Sequence, residues 1–113
     1  MGTKLIISLI FVLLTFQWDY EDTSNITGWN LYYSDTQGQY DTNNKIYILK
    51  EPVNETTQEI TISAPRGTKI TKYFVLTAVN DITESGYSNE VAQEFIVPLD
   101  APFSFKLRVN ITN

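Results

Sequence analysis

Asp19, Glu21 and Asp22 set three carboxylates within four positions, the densest group of potential ligands in the chain. Carboxylates this close suit a hard cation. Calcium, however, takes about six to eight oxygens, commonly from a glycine-containing loop of set spacing. That spacing is absent, so the cluster reads as a solvated loop. No other acids form a recognisable catalytic pair, and scattered carboxylates do not define a glycosidase. The chain has no His and no Cys. It therefore lacks a thiol nucleophile, a thiolate metal site, and the commonest general base and transition-metal ligand. These residue types predict no enzyme, no cofactor and no metal.

Other motifs point to surfaces. Asn25-Ile26-Thr27, Asn54-Glu55-Thr56 and Asn110-Ile111-Thr112 are N-glycosylation triplets, which matter only in a host that glycosylates. Arg66-Gly67-Thr68 is not the adhesive Arg-Gly-Asp tripeptide. Net charge is −5, which argues against a basic face for nucleic acid.

The strands follow from the alternation of apolar and polar residues. At 113 residues the chain fits one domain able to bury a core without disulfides. Leu14, Phe16 and Trp18 alternate with polar residues, the pattern of a half-buried strand. A polar stretch from Glu21 to Gly28 follows. Trp29, Leu31 and Tyr33 then share one face of a second strand. Further strands are expected over Lys45–Leu49, Thr57–Ala64, Lys72–Asn80 and Glu90–Val97, with Pro65-Arg66-Gly67 as a turn. No segment carries a sustained helical period, and short strands between turn signals predict a two-sheet antiparallel sandwich or a barrel. The expected core is Trp18, Trp29, Leu31, Tyr33, Ile60, Ile62, Phe74, Leu76 and Ala78.

In this register Tyr32, Tyr73, Val75 and Val79 face away from the core, as a candidate interaction face of amphipathic anchors. Ordinary sheet surface would look the same.

Residues 1–13 form an apolar leader with Lys4 near its start. It reads as a secretory signal, though no small-x-small cleavage site follows, or as a buried strand. It is short for a membrane span of about 20 residues, so membrane contact would come only through an uncleaved leader.

Residues 98–113 form a tail in which Phe103, Phe105, Leu107, Val109 and Ile111 alternate with Ser104, Lys106, Arg108 and Asn110. This is a candidate assembly strand, with Pro102 where a strand begins. It is expected to add to a sheet edge, in its own domain or in a neighbouring subunit, or else to be a frayed terminus.

Residues 14–97 resemble the fibronectin type III family. Trp18 is similar to that family's second-strand tryptophan. Gly28-Trp29-Asn30-Leu31-Tyr32-Tyr33 is similar to its third strand. Phe74-Val75-Leu76-Thr77-Ala78-Val79-Asn80 with Glu84-Ser85-Gly86-Tyr87-Ser88-Asn89-Glu90-Val91 resembles its sixth strand, the following loop and the start of its last strand. The sequence departs from the family at the tyrosine corner, where Lys72 stands and Tyr73 comes one place later. The resemblance implies an immunoglobulin-like sandwich. Small single-domain proteins of this plan resemble ones from tailed bacteriophages and secreting bacteria. The implied role is a non-catalytic structural or assembly module acting through protein contacts, with itself or with other virion or surface subunits. The alternative is an accessory module that binds a polysaccharide or host receptor. Either implies an extracellular, cell-surface or virion location.

Overall fold

A computed structural model describes residues 7–51 and 54–111. Lys4 and the rest of the first six residues, Pro52 and the last two tail residues lie outside them.

The fold is all-β. Among the described residues there are six strands and no helix: β1 (Ile7–Gln17), β2 (Gly28–Ser34), β3 (Lys45–Leu49), β4 (Glu55–Pro65), β5 (Lys69–Val79) and β6 (Val91–Ile96). They form two antiparallel sheets, one of β1 and β4, the other ordered β3-β2-β5-β6.

The alternation in β4 explains its place. Ile60, Ile62 and Ala64 turn inward, while Glu55, Thr57, Glu59, Thr61 and Ser63 face water. Ile62 pairs with Ile10 and Ile60 with Val12, so β1 and β4 present one apolar inner face. Such cross-strand pairs are the unit of sheet stability. On the outer face Thr15 and Thr57 share a hydroxyl hydrogen bond of 2.9 Å, and Gln17 donates to Glu55 at 2.8 Å.

Residues 7–13, for which signal and buried strand both stood as expectations, form the first half of β1 and are half-buried rather than covered on both faces. The continuous apolar run is a strand because β4 offers eleven consecutive partners for it.

The second sheet is built around β2, which pairs on both sides and is buried on both faces from Gly28 to Tyr32. Gly28 is required by packing. A Cβ there would run into the Ile48 carbonyl oxygen and the Tyr47 ring, whose hydroxyl donates to the Thr27 carbonyl at 3.1 Å.

Trp29, Leu31, Phe74 and Ala78 from this sheet meet Ile60, Ile62 and Ala64 from the other in one core, with Ile26, Ile48 and Val97. Trp18, Tyr33 and Leu76 are only partly buried against it. Trp18 lies just past β1 and packs edge-on against Trp29 with ring centroids 5.3 Å apart.

The β4–β5 turn holds one pole of the molecule. Gly67 takes φ +79°, a left-handed conformation natural to glycine, and its N–H donates to Val97 O at 2.7 Å. Val97 N–H returns a bond to Thr68 O at 2.8 Å, which buries Val97 at the end of β6. Arg66 ties down both neighbours. Its Nε donates to Ser8 Oγ at 2.8 Å, and its guanidinium pairs with Asp100. The start of β1 and the root of the tail thus share one pole.

Candidate functional site

Two places were expected to make contacts: the outer face of the larger sheet and the tail. The structure treats them differently.

On the outer face, the candidate residues Tyr32 and Val75 are covered, at 3% and 4% exposure; Tyr73 and Val79 are partly buried. This corrects the expectation of an open interaction face. The cover is the segment from Asp81 to Glu90. Glu84 Oε2 lies over the sheet and accepts from Tyr32 OH at 2.6 Å, Thr77 Oγ1 at 2.6 Å and Asn30 Nδ2 at 3.1 Å. Hydrogen bonds from Thr77 and then Tyr32 hold its carboxyl below the ordinary value. Burial, reinforced by that carboxylate, pushes the Tyr32 hydroxyl up to about 12.

The rest of the segment is stitched to β5. Ser85 N–H donates to Ala78 O, and Ser88 N–H to Leu76 O, both at 2.8 Å. The Ser85 and Ser88 hydroxyls accept from Ala78 N–H and Leu76 N–H, both at 2.9 Å. Two serines three positions apart therefore satisfy the β5 edge beyond the point where β6 pairs with it. Tyr87 lies between Tyr32 and Tyr40, 5.5 Å from each ring centroid. Tyr40 OH donates to Glu90, and Glu90 also accepts from Gly38 N–H at 2.9 Å. Burial, then the Glu90 contact, raises the Tyr40 hydroxyl, and the same bond lowers Glu90. The polar residues of this motif lock a loop to a sheet. Glu84 was the missed signal: an acid beside Ser85 and Ser88, opposite a strand carrying Asn30 and Tyr32.

The tail is open. Phe103, Phe105, Leu107, Val109 and Ile111 are 75–92% exposed, and residues 98–111 belong to no strand. The expected return to an edge of its own domain is not present among the described residues. The Cα radius of gyration is 21.5 Å, against about 13 Å for a compact chain of this length, and the longest dimension is 85 Å.

The sandwich is also open on one side. Among the described residues β1 pairs only with β4, and its other edge carries no strand. Beside the Gln17 end of that edge lies a groove of about 530 Å³. Phe16 and Trp18 form one wall; Leu31, Phe74, Leu76 and Val91 of the opposite sheet form the other. β4 takes no part in the lining, so the groove is on the unpaired side of β1. The indole N–H groups of Trp18 and Trp29 at this groove have no hydrogen-bond partner among the described residues.

Asp19, Glu21 and Asp22 remain at a loop surface, and no group of acidic side chains among the described residues is arranged to hold a metal ion. No helix among them is long and apolar enough to cross a membrane. No family model, curated protein or solved structure matches this chain.

Proposed function

We propose that this chain is a fibronectin type III-like, immunoglobulin-like domain serving as a non-catalytic assembly module, through protein contacts on a virion or cell surface. One observation carries the reading: five large apolar side chains alternate along a tail held clear of the domain that bears it. Apolar side chains at that density are stabilised when a partner covers them. The family assignment is supported by the two sheets and by the Glu84–Glu90 loop, whose residues match the motif and lie against β5. The absence of Cys and His supports a non-catalytic role.

Light scattering after size-exclusion chromatography tests the reading. Oligomers of the full chain are expected at micromolar concentration; a strict monomer overturns self-assembly. A second reading, a module for a polysaccharide or host receptor, is favoured by the groove. Its lining includes Trp18 and Trp29, and the rings of Tyr20 and Tyr87 stand exposed beside it. Under that reading the monomer gives a specific signal on a glycan array.

A further inference from the structure

We infer that the tail of one copy adds as an antiparallel strand to the open edge of β1 in a second copy. This rests on the assembly reading and names its partner and its contact.

The acceptor is distinguished from the other edges by its residues. Sheet edges are normally protected by charge or proline. β4 presents Glu55 and Glu59 outward, β6 carries Glu94, and β3 begins with Lys45. β1 has no charged residue in eleven, and its outward side chains Ile7, Leu9, Phe11 and Leu13 are all exposed. Its inward side chains, Ile10, Val12, Leu14 and Phe16, are only half-buried. The edge is thus incomplete on both faces, and it borders the apolar groove.

The donor matches in length and pattern. Residues 101–111 equal β1 in number, and their apolar side chains alternate on one face. Pairing requires Ser104, now at φ +57°, to become extended.

Polarity makes the partner a second copy. The tail leaves from the pole where β1 begins, because Arg66 holds both Ser8 and Asp100 there. Folding back along its own β1 would run the tail parallel to that strand, the weaker arrangement. Antiparallel pairing needs entry at the Gln17 end, which a tail arriving from another molecule provides.

Aligning Phe103 with Phe16 uses the whole length. Phe105 then stands beside Leu14, Leu107 beside Val12 and Val109 beside Ile10, all on the inner face. Lys106 and Arg108 come to the outer face, with Arg108 beside Phe11. Its guanidinium and stem cover the ring of a residue that is 62% exposed in the single chain.

Three variants of the full chain test this by light scattering over a concentration series, each with a melting curve to show that the domain is folded. Phe105→Asp with Leu107→Asp alters only exposed tail residues and is expected to leave the melting temperature unchanged and abolish the oligomers. Phe11→Lys and Phe11→Glu remove the same ring from an exposed position. Lys faces Arg108 and is expected to weaken association several-fold relative to Glu, since like charges opposed across strands repel. If wild type oligomerises and the tail variant does too, or if the Lys and Glu variants associate equally, the strand assignment is wrong while the assembly reading stands. If wild type is monomeric throughout, both fall.

Discussion

The Glu84 carboxylate accepts the Tyr32 hydroxyl at 2.6 Å, across the face of the sheet that the strand alternation leaves outward. Thr77 and Asn30 donate to the same oxygen. A charged acceptor with three donors is among the stronger polar arrangements. Glu84→Gln is therefore expected to destabilise the domain by about 1–3 kcal/mol. Tyr32→Phe should cost less, because two donors remain. Urea melts of both variants check the order.

The same contacts set a pH dependence. Glu84 and Glu90 have folded pKa values below their ordinary 4.5, so the unfolded chain binds protons more readily. Their contribution is present above that value and is lost as pH falls through the lower folded values. Tyr32 has the opposite sign. Its pKa is raised from 10.0 to about 12, so its contribution is present below pH 10 and is lost as pH rises toward 12. Denaturant midpoints are expected to fall on both sides. In Glu84→Gln the acid-side loss should shrink; an unchanged acid limb would show that other carboxylates dominate it.

Core truncations should rank by burial. Phe74, 1% exposed, is expected to cost about 3–5 kcal/mol as Phe74→Ala. Trp18→Ala should cost less, since Trp18 is partly buried and borders the groove. Equal losses would mean that the groove is filled in solution.

The ranking illustrates what the sequence carried. Strand alternation placed Trp29, Leu31, Ile60, Ile62, Phe74 and Ala78 in the core, where they are buried, because period two is a local property of a pleated chain. Trp18 has the same local pattern, yet its burial depends on whether a strand covers β1's free side. That is a relation between distant segments. Residues 7–13 lacked alternation, so their sequence left signal and strand both open, and in the fold they pair with β4. The covered outer face was illegible for the same reason: nothing in Tyr32 or Val75 announces that the Asp81–Glu90 loop folds over them. The tail's alternation was legible; its lack of a partner in the single chain was not.

Gly28→Ala is expected to destabilise by about 1–3 kcal/mol, the cost of forcing an extra methyl into a packed site. The clash involves the Ile48 backbone, which cannot rotate away, as well as the Tyr47 ring, which can. Tyr47→Ala in the same background should recover only part of the loss. Full recovery in a thermal melt would place the whole clash on the ring.

Removing residues 101–113 separates the domain from its tail. Val97 is buried through its bonds to Gly67 and Thr68, and Asp100 still pairs with Arg66 in the shortened chain. The apolar tail side chains that would be lost are exposed and pack on nothing in a single molecule. The truncated monomer is therefore expected to melt within about 0.5 kcal/mol of the full chain at concentrations where both are monomeric, as surface changes away from special features do. Asp100→Ala should also cost little, because an ion pair with an exposed carboxylate contributes about 0–1 kcal/mol. At high concentration the two chains should diverge. Oligomerisation stabilises by mass action, so only the full chain's melting temperature should rise with concentration. A large loss of stability in the dilute truncated protein would instead mean that the tail folds onto its own domain in solution.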